Sequence, residues 1–88
     1  MKIQVRKPKP GELEQMGVMS WPTWGCEASE FDWAYDNQEI CYLLEGQVTV
    51  EAANEQVSFG AGDIVVFPKG LSCKWKVSKA VKKHYQFG

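Results

Sequence analysis

No apolar run in these 88 residues approaches the length of a membrane span; the longest, Ile64 to Phe67, suits a buried strand. Met1 leads into Lys2, Arg6, Lys7 and two prolines rather than an apolar stretch, so no secretory leader is expected. Cysteine is scarce: Cys26, Cys41 and Cys73 are an odd number without a CxxC pair, which argues against a secreted disulfide scaffold and against a zinc knuckle. A reducing, cytoplasmic setting is the expectation. Internal repeats, low-complexity tracts and linkers are all lacking.

Aromatics, in contrast, are plentiful for the size, with four Trp, three Tyr and four Phe. They fill a small core economically, so much of this content reads as packing. Eighty-eight residues make one domain, 1–88, with 1–17 as an N-terminal strand and turn and 18–88 as the body. Net charge is −1, but the signs are segregated: every Asp and Glu lies between Glu12 and Asp63, and every Lys and Arg outside that span. If the chain ends met, one surface would be basic and suit an anion or nucleic acid. The preferred alternative is a lysine-covered solvent face, because lysines at alternate strand positions are ordinary surface. No nucleic-acid partner is expected, since the lysines lack interleaved aromatics and no recognition motif appears.

Residues 2–6 read as a short strand, and Glu12 to Met16 as one helical turn ended by Gly17. Strands and turns follow to the end. Pro22 makes residues 21–25 an edge or bend. Strands are expected at 27–35, 39–44, 47–52, 56–59, 64–67, 73–77 and 81–87, with a tight turn at Glu45-Gly46 and a glycine-rich turn at 60–63. Such a pattern means an all-β sandwich or small barrel. Alternation turns Cys73, Trp75 and Val77 inward and Lys74 and Lys76 outward. In the strand from Glu39, both faces are largely apolar, which suggests that a homodimer partner covers the second one.

Two stretches follow a family pattern. Gly62-Asp63-Ile64-Val65-Val66-Phe67-Pro68-Lys69-Gly70 is similar to the second motif of the cupins. Phe31 to Glu39, followed by Leu44-Glu45-Gly46, is similar to the first. More narrowly, FDW, CYLLEG, GDIVVFPKGLSCKWKV and the late KHY resemble the ureidoglycine aminohydrolase cupin-domain family. The resemblance implies an antiparallel jelly-roll β-barrel. In metal-binding cupins the motifs carry three histidines and a glutamate. Laid on this chain, the histidine positions fall at Trp33, Tyr35 and Cys73, and only the glutamate, Glu39, is kept. An indole has no lone pair to give a metal, and a phenol ligates well only as phenolate. Glu39 and Cys73 alone are weak metal candidates, so no cofactor is expected, although zinc or copper through Cys73 stays open.

Glu39 then points into the barrel mouth, where a carboxylate has to be paired or hydrogen-bonded. It reads either as a general acid or base, or as a leftover carboxylate satisfied by Tyr35 or a Trp N–H. Cys73 and Cys41 share inward faces and read best as small buried hydrophobes. His84, the only histidine, could activate Cys73 if it faced the same side, though a structural hydrogen bond is the better reading. Trp33, Tyr35, Glu39, Cys41, Cys73 and Trp75, with Tyr42 and Phe67, are the expected pocket lining; a barrel filled by its own side chains is the alternative. Three functions are open: a metal-free binder of a small molecule, an enzyme of ureide or amidohydrolase-like chemistry using Glu39 with Cys73 and His84 or a metal, and a homodimeric interaction module.

Overall fold

The structure, a computed structural model, describes residues 2–88. Its elements in chain order are β1 (Gln4–Arg6), α1 (Glu12–Met16), a 3-10 turn (Val18–Ser20), β2 (Thr23–Cys26), β3 (Ser29–Ala34), β4 (Glu39–Ala52), β5 (Glu55–Gly60), β6 (Ile64–Phe67) and β7 (Ser72–Phe87). Every strand pairing among the described residues is antiparallel. This is the jelly-roll barrel that the motifs imply. No described helix is long and apolar enough to cross a membrane.

The main departure from the sequence reading concerns the two longest strands. Glu45-Gly46 is not a turn, and 73–77 and 81–87 are not separate strands. β4 and β7 each run unbroken and pair along most of their length. Each changes neighbour along its length within the one seven-stranded sheet. The first half of β4 pairs β6 and its second half pairs β5, while β7 pairs β3 with its first half and β2 with its second. β1 joins by pairing β6.

The expected turn is a set of register shifts between Leu43 and Val48. It changes the phase of β4. Glu39, Cys41 and Leu43 face inward before it, and Val48 and Val50 after it, so both halves bury apolar side chains. Gly46 makes the bend possible. Its φ is 112°, and a Cβ there would lie 2.6 Å from Val81 Cγ2 and 2.8 Å from the Ala80 carbonyl oxygen.

Trp75 is the hub of the core. Phe31 stacks on it at 5.9 Å, and Phe59 and Phe67 meet it at 5.7 and 5.5 Å. Each such pair contributes about 0.5–1.5 kcal/mol beyond the area it buries.

The segregated charges do not build a basic face. β7 lies between the acidic strands β3 and β4, with Lys74 opposite Asp32 and Glu51, and Lys76 opposite Glu30. Lys76 Nζ meets Glu51 Oε2 at 2.9 Å, and Lys7 Nζ meets Asp63 Oδ1 at 2.7 Å. Lys83 departs altogether from the solvent-facing lysine reading: it is buried.

Candidate functional site

At the end of the barrel where β4 begins and β7 ends, an open-mouthed cavity of about 150 Å³ is lined by Trp24, Phe31, Trp33, Tyr35, Glu39, Trp75, Lys83, Tyr85 and Phe87. That is room for one benzene-sized molecule. The strands explain the convergence. β7 is unbroken, so the odd positions that turn Trp75 inward also turn Lys83, Tyr85 and Phe87 to that side. Phe31 lies directly opposite Trp75 on β3, and Trp24 opposite Lys83 on β2. Tyr35 is clamped by the second motif. Its N–H donates to the Leu71 carbonyl at 2.8 Å, and its own carbonyl accepts from Gly70 N–H at 2.7 Å. Its ring stacks on Phe67 at 4.8 Å.

The polar groups are few. Lys83 Nζ donates to Glu39 Oε2 at 2.8 Å, and the pair is buried. The ammonium sits 4.7 Å from the Trp75 ring centroid, 5.1 Å from that of Trp24 and 5.9 Å from that of Tyr85. Removing both ions from water is costly, and the salt bridge and the ring faces offset that cost. Burial first, and the Glu39 charge second, push the Tyr35 phenol well above its ordinary range, so it stays a neutral hydroxyl. The indole Nε1–H of Trp75 is buried with no acceptor in hydrogen-bonding geometry.

Of the expected lining residues, Trp33, Tyr35, Glu39 and Trp75 meet here, but Cys41 and Cys73 do not. Cys41 is fully buried in the core, and desolvation pushes its thiol up to about 12. Cys73 is buried behind Trp33, its thiol 3.6 Å from the Trp33 carbonyl oxygen, and burial followed by the charges of Glu39 and Asp32 raises it too. Neither is an activated nucleophile. Phe67 lies beneath Tyr35 in the core, and Tyr42 is on the opposite face of β4. His84 also faces away. Its Nδ1–H donates to the Trp21 carbonyl at 2.9 Å, so it holds the segment before β2 and cannot serve Cys73. The candidate trio Glu39, Cys73 and His84 is therefore not assembled. Trp24, Phe31, Lys83, Tyr85 and Phe87 are lining residues that the sequence reading missed; Lys83 is the close partner of Glu39, and the expected Tyr35 hydroxyl also feels the Glu39 carboxylate.

The donor set does not fit a cupin metal. Trp33 and Tyr35 replace two imidazoles, Cys73 lies outside the cavity, and Glu39 is engaged by a cation. Among the described residues, no group of three or more His, Cys, Asp or Glu side chains could hold an ion.

Residues 13–85 match the EutQ-like cupin domain family. A crystal structure of a DUF861-family protein from Thermotoga maritima superposes with a TM-score of 0.97 at 45% identity, covering 99% of this chain and 100% of that one. The EutQ protein of Clostridium difficile shares the fold, with a TM-score of 0.68 at 23% identity over 74% of this chain and 52% of its own. In sequence, 75 residues are 31% identical to the acetate kinase EutQ of Escherichia coli K12, covering 85% of this chain but only 30% of that protein. The chain thus spans less than a third of the length of this curated relative. With the matched family extending over most of the barrel, the chain belongs to the EutQ-like cupin domain family.

Proposed function

We propose that this small cupin binds a small, largely apolar molecule in its barrel mouth without a metal. The observation that carries the reading is the cavity itself: an aromatic-lined mouth that holds one buried ion pair. Such a combination selects a ligand by shape and by a single polar group. The donor set supports the absence of a metal, because Glu39 is the single carboxylate in the lining and Lys83 already holds it.

The test is a thermal-shift and tryptophan-fluorescence screen of benzene-sized alcohols, amides and ureides, with elemental analysis of protein purified without chelator. A raised melting temperature with altered emission from Trp24, Trp33 or Trp75 is expected, because a ligand that binds only the folded state stabilises it by mass action. Stoichiometric bound metal, or no response from any compound, overturns the proposal.

Ureide or amidohydrolase-like chemistry of the ureidoglycine aminohydrolase kind has weaker support, since Cys73 and His84 stand apart from Glu39. Three free cysteines favour a reducing, cytoplasmic setting. The half-buried outer side chains Ile40, Tyr42 and Leu44 of β4 favour a homodimer.

A further inference from the structure

We infer that Lys83 is a nucleophile that captures short aldehydes or ketones as a Schiff base inside the barrel mouth, with Glu39 as its proton carrier. The inference rests on the ligand-binding reading above and adds to it the chemical class of the ligand.

Among the lining residues Lys83 supplies the single amine, and the cavity around it is otherwise built of aromatic rings, Glu39 and the Tyr35 hydroxyl. The residues that enclose it fix its position. Its ammonium rests over the Trp75 ring and beside Trp24, and its hydrogen bond to Glu39 holds the chain in one place. A lysine serving only as a solubilising group would stand in water. This one stands in a cavity with room for a ligand, next to a base that can take its proton.

An anionic ligand would meet the Glu39 carboxylate, and a cationic one would meet Lys83. A neutral molecule meets neither penalty, and a carbonyl is the neutral group with which an amine reacts.

The steps balance. Glu39 takes one proton from the Lys83 ammonium. The freed nitrogen lone pair attacks the carbonyl carbon, a C–N bond forms, and the C=O π electrons move to oxygen. That oxygen gains a second proton from nitrogen, giving the neutral carbinolamine. Glu39 returns its proton to the hydroxyl, water leaves, and a protonated imine remains beside the restored carboxylate. One ammonium and one carbonyl become one iminium and one water. Glu39 ends unchanged and pairs the iminium charge as it paired the ammonium.

Benzaldehyde and benzyl alcohol make a matched pair of probes, alike in shape but only one with a carbonyl. The protein is incubated with benzaldehyde or propanal and cyanoborohydride, which delivers hydride to the iminium carbon, and the adduct is located by peptide mass mapping. One adduct is expected, at Lys83, with a mass gain equal to the aldehyde less its oxygen. It should form about tenfold faster than at any other lysine, because the cavity holds the aldehyde against the Lys83 nitrogen. Lys83→Arg should abolish it and Lys82→Arg should not. Glu39→Gln should slow it with Lys83 still present. Label spread over the exposed lysines, in the unaltered protein, overturns the inference without need of any variant. If benzyl alcohol raises the melting temperature but benzaldehyde leaves no adduct at Lys83, the capture fails and the binding reading survives. If neither molecule binds, both fail.

Discussion

Lys83 Nζ stands 2.8 Å from Glu39 Oε2, with the two side chains only 6% and 4% exposed. Breaking such a pair from one side leaves a lone buried charge. Lys83→Met should cost about 3–5 kcal/mol, and the double replacement Glu39→Leu with Lys83→Met should recover most of that loss. Urea denaturation of the three proteins checks it. A double variant no more stable than Lys83→Met would mean that the pair is not the source of the cost.

Trp33 forms part of the rim and is 48% exposed. Trp33→Ala should therefore leave stability within about 1 kcal/mol of the parent. The same change should weaken binding of an aromatic probe such as benzyl alcohol by about tenfold, through the lost ring contact. Titration by fluorescence, paired with a melting curve, separates the two effects. An unchanged affinity would remove Trp33 from the site.

Gly46→Ala should be among the most damaging single-methyl additions in the chain. Its φ is 112°, and the new Cβ would meet Val81 and the Ala80 backbone below 3 Å. A loss of about 2–4 kcal/mol is expected from the strained backbone and the clash together. A melting temperature equal to the parent's would show that the β4 bend can move.

The side chain of Arg6 first, then the Lys9 backbone N–H, hold the Glu12 carboxyl down to about 2 from an ordinary 4.5. A carboxyl depressed on folding adds stability that is present above its unfolded value and lost as pH falls through the folded one. Glu12→Gln should thus be less stable than the parent at neutral pH, and the two should converge between about pH 4.5 and about 2. Melting curves across that window test it, with a small difference expected because the pair is exposed.

Much of the fold was legible. Short alternating apolar segments between glycine turns gave β6 at its observed bounds and α1 with its closing Gly17. The inward set Cys73, Trp75 and Val77 also stands. What misled was punctuation. Glu45-Gly46 carries the residues of a hairpin turn, yet one glycine with positive φ can equally bulge a continuing strand. Ser78 to Ala80 looked like a break, although β7 passes through them.

The same misreading hid Lys83. Positions 73, 75 and 77 point inward, and parity along one continuous strand carries 83 and 85 to the same side. Split in two, the strand lost that link, and a lysine beside Lys82 passed for surface. Cys41 and Cys73 were correctly turned inward, but an inward residue can sit in packed core as well as at a cavity. The alternation of side chains does not separate those cases. The aromatics from β2 and β3 closed the opening above Trp75, and no local pattern announces a contact between strands so distant in sequence.

The long β4–β7 ladder joins Ala52 to Cys73 at one end and Glu39 to Phe87 at the other. The first rung encloses a short stretch of chain and the last a much longer one, so the ladder zips most cheaply outward from the Ala52 end. The cavity mouth sits where zipping finishes. It should accordingly fray soonest, with amide exchange faster at Tyr85 and Phe87 than at Trp75, and any occupant would act as a clasp that holds the last rungs shut.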